Sequence, residues 1–189
     1  RSIDDLQMII DKVARNTLSM PFYFLGGGSN VILSERLSRP VLKMNFQGKT
    51  VLSEDQDFVR LQVAGGENWD QFVRWTVSQK YYGLENLVLI PGTVGASPIQ
   101  NIGAYGVEAK DFIESVRGYN FKSQQWMEFK NSECHFSYRD SVFKTAAMSE
   151  FLITEVVFLL KKQPSFVNLS YKELALNLES KHRKATPEN

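Results

Sequence analysis

Two glycine-rich stretches hold the residues of this sequence best suited to binding a charged ligand. The first reads Leu25-Gly26-Gly27-Gly28-Ser29-Asn30-Val31. Three successive glycines leave backbone N–H groups free to form an anion-binding concavity, and Ser29 and Asn30 add side-chain donors. Because these donors are neutral, the loop suits a pyrophosphate better than a single charge. Taken alone, the loop fits a tight hairpin with positive φ angles equally well.

The second stretch, residues 83–108, mixes glycines with apolar, amide and aromatic side chains. Its apolar run at residues 87–90 stops at Pro91-Gly92, where the backbone must turn. Ser97-Pro98 then predicts the N-cap and first position of a short helix. Such a loop offers free N–H groups and room for a flat or phosphorylated ligand. We therefore favour a ligand-binding role over that of a plain surface loop. The two stretches together favour a nucleotide-like cofactor.

Two familiar phosphate-binding motifs are incomplete. Gly48-Lys49-Thr50 matches the end of a P-loop, but Lys43 stands where that motif needs glycine. Gly26 and Gly28 begin a dinucleotide fingerprint, yet Val31 stands in place of its third glycine. Neither motif therefore explains the first loop.

Metal and hydrolase sites have little support. His135 and His182 are the only histidines and Cys134 is the only thiol, so we predict no metal site. Neither histidine lies in a context that suggests the base of a serine hydrolase. The single cysteine cannot form an internal disulfide and suits a reducing compartment.

Composition limits the class of protein and its partners. The 189 residues are 43% hydrophobic and 12% aromatic, which is enough for a buried core. A net charge of +1 provides no basic excess for nucleic acid, so we predict no nucleic-acid partner. No apolar run reaches membrane-spanning length, and we predict no membrane association.

Hydrophobic periodicity predicts interleaved helices and strands. Helices are predicted from Ile3 to about Asn16 after a Ser2 N-cap, from Trp69 after a turn and cap at residues 65–68, and at residues 171–178. The aromatic and apolar stripe of the second helix is predicted as core: Trp69, Phe72, Val73, Val77 and Trp75. Strands are predicted at residues 21–25, 31–33, 41–44, 49–52, 59–64, 112–121, 126–129 and 151–160. Residues 59–64 alternate strictly between apolar and polar, as in a half-buried strand, and residues 122–125 are predicted as a hairpin turn. The order lacks the regular alternation of a doubly wound sheet. We therefore predict an α+β fold of two small lobes with the ligand between them.

Four motifs in order closely resemble the UDP-N-acetylenolpyruvoylglucosamine reductase family. They are Leu25-Gly26-Gly27-Gly28-Ser29-Asn30-Val31, Gly66-Glu67-Asn68-Trp69, the run from Gly83 to Gly106, and Tyr138-Arg139-Asp140-Ser141-Val142-Phe143-Lys144. The resemblance extends from the first helix to about Tyr171.

The resemblance implies a two-lobed FAD-binding domain of the vanillyl-alcohol oxidase type. This domain would occupy residues 1–162, with lobes at roughly 1–52 and 53–162, and residues 163–189 would begin a connection to a substrate-binding domain. The implied role is peptidoglycan precursor synthesis by a monomer in the bacterial cytoplasm. There, NADPH reduces FAD, and the flavin passes hydride to UDP-N-acetylglucosamine enolpyruvate to give UDP-N-acetylmuramate.

The same resemblance implies that both glycine-rich stretches contact FAD. The implied cofactor-binding residues are Leu25, Gly26, Gly27, Gly28, Ser29, Asn30, Val31, Ile90, Pro91, Gly92, Thr93, Gly95, Ala96, Ser97, Ile99, Gln100, Asn101, Gly103, Ala104, Tyr105, Gly106 and Val107.

Arg139 matches the family's active-site arginine. A guanidinium cannot lose its proton, holds a carboxylate with two bonds, and can stabilise the enolate charge that hydride addition builds up. Without the other motifs, an ordinary ion pair of Arg139 with Asp140 or Glu133 is the better explanation.

We expect this chain to be a fragment, since it begins at Arg1 without an initiator methionine and ends in a polar run. The family's proton-donating serine, in a Gly-Ser-Phe segment, and its catalytic glutamate lie beyond the residues matched here, and Ser141 does not match the donor. Hydride addition leaves a carbanion-like centre that must be protonated. The chain should therefore hold FAD without turning over substrate.

Two alternatives remain at this stage. A stand-alone flavin-binding module without reductase activity is one, and an unrelated structural α+β domain is the other. A visible spectrum distinguishes the unrelated structural domain from both flavin-binding hypotheses, because bound oxidised flavin is yellow. The sequence of the parent gene downstream of Asn189 distinguishes the stand-alone module from the reductase, because a Gly-Ser-Phe segment there would indicate the reductase.

Overall fold

The computed structural model describes residues 3–15, 17–18 and 21–164. This part of the chain contains two α-helices, α1 (Ile3–Ala14) and α2 (Trp69–Ser78). Its nine strands are β1 (Tyr23–Leu25), β2 (Val41–Lys43), β3 (Lys49–Glu54), β4 (Phe58–Ala64), β5 (Gly103–Ala104), β6 (Val107–Glu108), β7 (Ile113–Asn120), β8 (Gln125–Lys130) and β9 (Phe151–Lys161). The helices and strands are interleaved without regular alternation, so the predicted α+β class is confirmed.

Helix α1 lies against the larger sheet of the molecule. Its Leu6, Ile10 and Val13 recur at helical spacing and are buried in one cluster with Tyr119 of β7 and Leu152 of β9. Acidic residues in its first turn and a lysine in its last turn complement the helix dipole. The predicted Ser2 N-cap lies outside the described residues.

Strands β1 and β2 form a small parallel sheet, with Tyr23 opposite Val41. The connection between them carries the first glycine-rich stretch. The strand predicted at residues 31–33 is wrong, because these residues form no strand and Val31, Ile32 and Leu33 are 50%, 101% and 57% exposed. An apolar run of three residues gives too little periodicity to distinguish a strand from a loop.

The larger sheet has the strand order β3-β4-β9-β7-β8, and every neighbouring pair is antiparallel. In β4 the buried positions alternate with partly exposed ones, as the sequence predicts. Strand β9 is the last strand of the described chain and lies between β4 and β7, where eight of its eleven residues are buried. The hairpin turn predicted at residues 122–125 is found at residues 121–124, between β7 and β8.

Helix α2 covers the core of this sheet. Its N-cap is Asn68, whose Oδ1 accepts a hydrogen bond of 3.0 Å from the N–H of Gln71. Trp69 and Phe72 are fully buried and pack against Phe158 of β9, with ring centroids 6.1 and 5.1 Å apart. The predicted N-cap and aromatic core face of this helix are confirmed.

The division into lobes at roughly residue 52 stays a prediction. Strand β3 (Lys49–Glu54) crosses this point and pairs with β4 along its length, apart from an irregularity between Val51 and Ser53. The predicted helix at residues 171–178 and the predicted connection beyond residue 164 lie outside the described residues.

Candidate functional site

The two glycine-rich stretches, far apart in sequence, lie against each other. We call residues 25–31 the first loop and residues 90–107 the second loop. A Cβ added to Gly26 would lie 2.7 Å from Oγ1 of Thr93, and one added to Gly27 would lie 3.0 Å from Cα of Gly92. A side chain at either glycine would therefore collide with the second loop, with the side chain of Thr93 at Gly26 and with the backbone of Gly92 at Gly27.

A cavity of about 270 Å³ opens between the two loops, and we call it the main cavity. Fourteen of the predicted cofactor-binding residues line it: Leu25, Gly26, Gly27, Gly28, Ser29, Asn30, Val31, Pro91, Gly92, Thr93, Ala96, Ser97, Ile99 and Gln100. Asn30 Nδ2 donates a hydrogen bond of 3.0 Å to Oε1 of Gln100, so an amide pair joins the two loops beside the cavity.

Backbone donors of the first loop are available for a ligand. Within the described part of the chain, the N–H groups of Gly27, Gly28 and Ser29 donate to no other protein group. Gly28 has a φ of +78°, and a Cβ added to it would meet no atom within 4 Å. The first loop therefore provides successive neutral donors beside open space, which suits an anionic group.

The hydroxyl of Thr93 is buried beside the main cavity. Its Oγ1 has no hydrogen-bond partner among the described residues, and Thr93 lines the main cavity. A buried hydroxyl left unpaired costs about 1–3 kcal/mol, so such groups usually indicate a missing water or ligand. An anionic cofactor that fills the cavity would satisfy this group.

Gly95 belongs to the second loop and lines a smaller cavity of about 50 Å³, which shares Gly26 and Thr93 with the main one. Its N–H donates to the carbonyl of Gly65 at 2.9 Å, and an added Cβ would lie 3.0 Å from Cα of Gly65. Gly95 therefore packs the second loop onto the end of β4.

The short helix predicted from Ser97-Pro98 is wrong. A 3-10 turn at Val94–Ala96 precedes this point, and Ser97 ends the turn with helical φ and ψ angles of −62° and −39°. Its Oγ donates to the carbonyl of Val94 at 2.7 Å. The serine therefore closes a turn, whereas an N-cap needs an extended backbone and an accepting side chain.

Seven predicted cofactor-binding residues line neither of these two cavities: Ile90, Asn101, Gly103, Ala104, Tyr105, Gly106 and Val107. Asn101 is fully buried, and its side chain bonds to the carbonyl of Ser137 and the N–H of Lys110. The last five residues belong to a small hairpin formed by β5 and β6. The cofactor role of all seven stays a prediction.

Arg139 lies beside the second loop, on a tight turn in which Ser137 and Asp140 exchange backbone hydrogen bonds. It is exposed, has a φ of +55°, and donates from Nη2 to the carbonyl of Gly103 at 2.6 Å. Asp140 pairs with Lys144, at 3.5 Å. The ion pair of Arg139 with Asp140 or Glu133 is not formed in the described part of the chain.

Further hydrogen bonds fix this turn against the second loop. Ser141 Oγ donates to the carbonyl of Ile99 at 2.6 Å, and Asn101 Nδ2 donates to the carbonyl of Ser137 at 2.9 Å. Together with the bond from Arg139, they join residues 137–141 to residues 99–103. The predicted catalytic arginine is therefore held next to the predicted cofactor loop, although it does not line the main cavity.

Sequence reasoning assigned no role at this site to four other residues that line the main cavity: Phe24, Trp69, Ile102 and Lys144. Trp69 was predicted as core, and it is fully buried with its Nε1 donating to the carbonyl of Leu87 at 2.8 Å. Lys144 is the final residue of the last motif of the resemblance, and its place in that motif is the sequence feature that could have indicated a role at this site.

The one thiol lies in the hydrophobic core of this fold. Cys134 is fully buried, and desolvation, followed by the charge of Glu133, raises the pKa of its thiol from 9.0 to about 12. Across the described ranges, no group of three or more His, Cys, Asp and Glu side chains is arranged to hold a metal ion. The same ranges contain no helix long and apolar enough to cross a membrane.

Several known proteins are similar to this chain. A UDP-N-acetylenolpyruvoylglucosamine reductase of Psychrobacter sp. (strain PRwf-1) is 49% identical over 155 residues, which cover 82% of this chain and 40% of that protein. The reductase of Flavobacterium johnsoniae is 40% identical over 177 residues, which cover 94% of this chain and 51% of that protein. The chain thus spans about half the length of these curated relatives. The resemblance predicted from the four motifs is confirmed.

Two solved structures share the fold. The crystal structure of UDP-N-acetylenolpyruvylglucosamine reductase from Thermus caldophilus gives a TM-score of 0.64 at 23% identity and covers 94% of this chain and 63% of that one. An alkyldihydroxyacetonephosphate synthase gives 0.55 at 13% identity, with 85% of this chain and 30% of that one covered. The predicted vanillyl-alcohol oxidase type of fold is confirmed.

The family assignment rests on the sequence itself. Residues 1–121 match the family described as FAD binding domain, and they include the first loop and the second loop. The chain therefore belongs to the FAD binding domain family.

Proposed function

We propose that this chain binds FAD in the main cavity and forms the cofactor-binding part of a UDP-N-acetylenolpyruvoylglucosamine reductase. The observation that carries the proposal is that two distant glycine-rich loops meet at one cavity. Thr93 lines this cavity, and its buried hydroxyl has no partner among the described residues. A plain surface loop would not be expected to bury an unpaired hydroxyl or to pack so closely against a second loop.

The residues divide the work of holding the cofactor. The free N–H groups of Gly27, Gly28 and Ser29 bind the pyrophosphate, and Thr93 donates its hydroxyl to the same ligand. Apolar residues such as Phe24 and Ile99 exclude water from the rest of the cavity. When bound, FAD supplies the hydride chemistry of the reaction.

Arg139 acts on the substrate. Its guanidinium can hold the carboxylate of the enolpyruvyl group with two bonds. It stabilises the negative charge that builds up on that group during reduction. The hydrogen bond to Gly103 and the turn at residues 137–140 keep the arginine beside the second loop.

The complete reaction is reduction of UDP-N-acetylglucosamine enolpyruvate to UDP-N-acetylmuramate in peptidoglycan precursor synthesis, with NADPH as the reductant. We place it in the bacterial cytoplasm and in a monomer. The carbanion-like centre needs a proton donor, and the donor serine of the resembled family lies beyond the residues matched here. We therefore propose that the 189-residue chain alone holds FAD without reducing the substrate.

A spectrum tests the cofactor assignment. The purified chain is incubated with excess FAD, passed over a desalting column and scanned in the visible range, with circular dichroism as the control for folding. We expect a yellow protein with the bands of bound flavin. A folded protein that elutes colourless would contradict the proposal.

The second test concerns the substrate. In a longer form that includes the rest of the relatives' length, NADPH consumption should require UDP-N-acetylglucosamine enolpyruvate. NADPH consumption that is independent of this sugar would contradict the reductase assignment while leaving FAD binding intact.

A further inference from the structure

We propose that Lys144 is a cofactor-binding residue that supplies positive charge to FAD, an inference that rests on the proposed function. Among the described residues that line the main cavity, Lys144 alone carries a charge. FAD is negatively charged at its pyrophosphate, and its isoalloxazine ring gains negative charge when it is reduced. A single cation in an otherwise neutral wall attracts whichever of these groups lies nearest.

The backbone around Lys144 is firmly positioned. Lys144 ends a 3-10 turn at Val142–Lys144, and Ser141 caps this turn by accepting a hydrogen bond from the N–H of Phe143 at 3.3 Å. The ring of Phe143 is stacked on Phe151 of β9, with centroids 5.7 Å apart. Since Ser141 also bonds to Ile99, the turn is fixed both to the sheet and to the second loop.

The ammonium group has capacity for a ligand. Nζ of Lys144 donates to the carbonyl of Arg139 at 3.1 Å and lies 3.5 Å from Oδ1 of Asp140. An ammonium has three donors, so a further hydrogen bond is available. The pair with Asp140 is exposed on both sides, with side-chain exposures of 48% and 57%, and such pairs are weak.

A purely structural role makes a different prediction. If Lys144 served only to pair with Asp140, then Asp140→Asn and Lys144→Met would have the same effect. If Lys144 serves the cofactor, Asp140→Asn removes a competing carboxylate and leaves FAD binding unchanged or tighter. The two variants therefore distinguish a partner of Asp140 from a partner of FAD.

The experiment measures the dissociation constant for FAD from the change in flavin fluorescence, at low and at high salt. The variants are Lys144→Met, Lys144→Arg and Asp140→Asn, with Lys122→Met in the exposed turn after β7 as a matched control. We expect Lys144→Met to weaken binding about tenfold at low salt and to flatten its salt dependence. Lys144→Arg and Lys122→Met should remain within about threefold of the wild type.

The midpoint potential of the bound flavin identifies the group that Lys144 faces. An unchanged potential in Lys144→Met places the charge at the pyrophosphate, because both redox states are then weakened equally. A lowered potential places it at the isoalloxazine ring, because the reduced state is then weakened more.

Two results would overturn the inference. One is a Lys144→Met chain with wild-type affinity, salt dependence and potential, and the other is an Asp140→Asn chain that loses affinity to the same extent. Thermal melting shows that each variant is folded, and Lys144→Gln replaces Lys144→Met if the latter melts early. A folded wild-type chain that binds no FAD is a separate result, which would overturn the proposed function first.

Discussion

The Oγ1 of Thr93 lies 2.7 Å from the position that a Cβ would occupy on Gly26. The two loops approach so closely here that only hydrogen fits on the first loop. The same hydroxyl has no partner among the described residues, although it is buried. Loop packing and the proposed ligand binding therefore involve the same atom, and a mutation can separate them.

Thr93→Val should change folding and FAD binding in opposite directions. Valine keeps the shape and removes an unpaired buried hydroxyl, so the FAD-free chain should melt at the same or a higher temperature. Affinity for FAD should fall about fivefold, since the ligand loses one hydrogen bond. Thermal melting and FAD titration measure the two effects. Thr154→Val, which removes a buried hydroxyl outside the main cavity, should leave FAD affinity unchanged.

Gly27 and Gly28 should respond differently to substitution. Gly27→Ala places a Cβ 3.0 Å from the backbone of Gly92, so it should lower the melting temperature as well as flavin retention. Gly28→Asn enters open space at a φ that asparagine tolerates, so stability should stay within about 1 kcal/mol while FAD affinity falls. Full FAD affinity in Gly28→Asn would mean that the first loop does not contact the cofactor.

Arg139→Ala should leave the flavin bound and slow the reaction. The side chain is exposed, so its loss should change the free energy of unfolding by about 1 kcal/mol or less. In a longer, active form of the protein, the rate of substrate reduction should fall at least about a hundredfold. Flavin absorbance and steady-state kinetics provide the two measurements. Loss of flavin would show that Arg139 is a structural residue.

Arg139→Gly provides a second comparison at the same position. Arg139 has a φ of +55°, which glycine adopts without strain, so this variant should be at least as stable as Arg139→Ala. Equal rate losses in both variants would assign the effect to the guanidinium. A smaller loss in the glycine variant would assign it to the turn.

Cys134 should not react with a thiol reagent at pH 8 until the chain unfolds. Its pKa is raised from 9.0 to about 12 in the folded state, so folding favours the protonated thiol. This contribution to stability is fully present below pH 9 and is lost as the pH rises toward 12. Cys134→Ala should be less stable near neutral pH, because of the cavity, but should lose less stability over that alkaline range. Rapid labelling of the native chain would contradict the burial of this residue.

Much of the fold follows from local patterns. The alternation in β4, the apolar stripe of α2 and its Asn68 cap each depend on neighbouring residues alone, and they are found as predicted. The strand prediction at residues 31–33 is wrong because a strand also needs a pairing partner, which three apolar residues do not specify. The helix prediction at Ser97-Pro98 is wrong because Ser97 ends the 3-10 turn at Val94–Ala96, and no local pattern indicated that turn.

The site was only partly accessible to the same reasoning. Glycine density indicated both loops, since close backbone packing excludes side chains. The unpaired hydroxyl of Thr93 and the position of Lys144 in the cavity wall depend on contacts between distant segments. No local pattern in the sequence reports such contacts.

The central position of β9 determines when the larger sheet can fold during translation. Strands β4 and β7 do not pair with each other, and β9 is synthesised after both of them. Until residues 151–161 have emerged from the ribosome, the two halves of the sheet have no common neighbour. A nascent chain shorter than this should therefore remain open to chaperones and proteases.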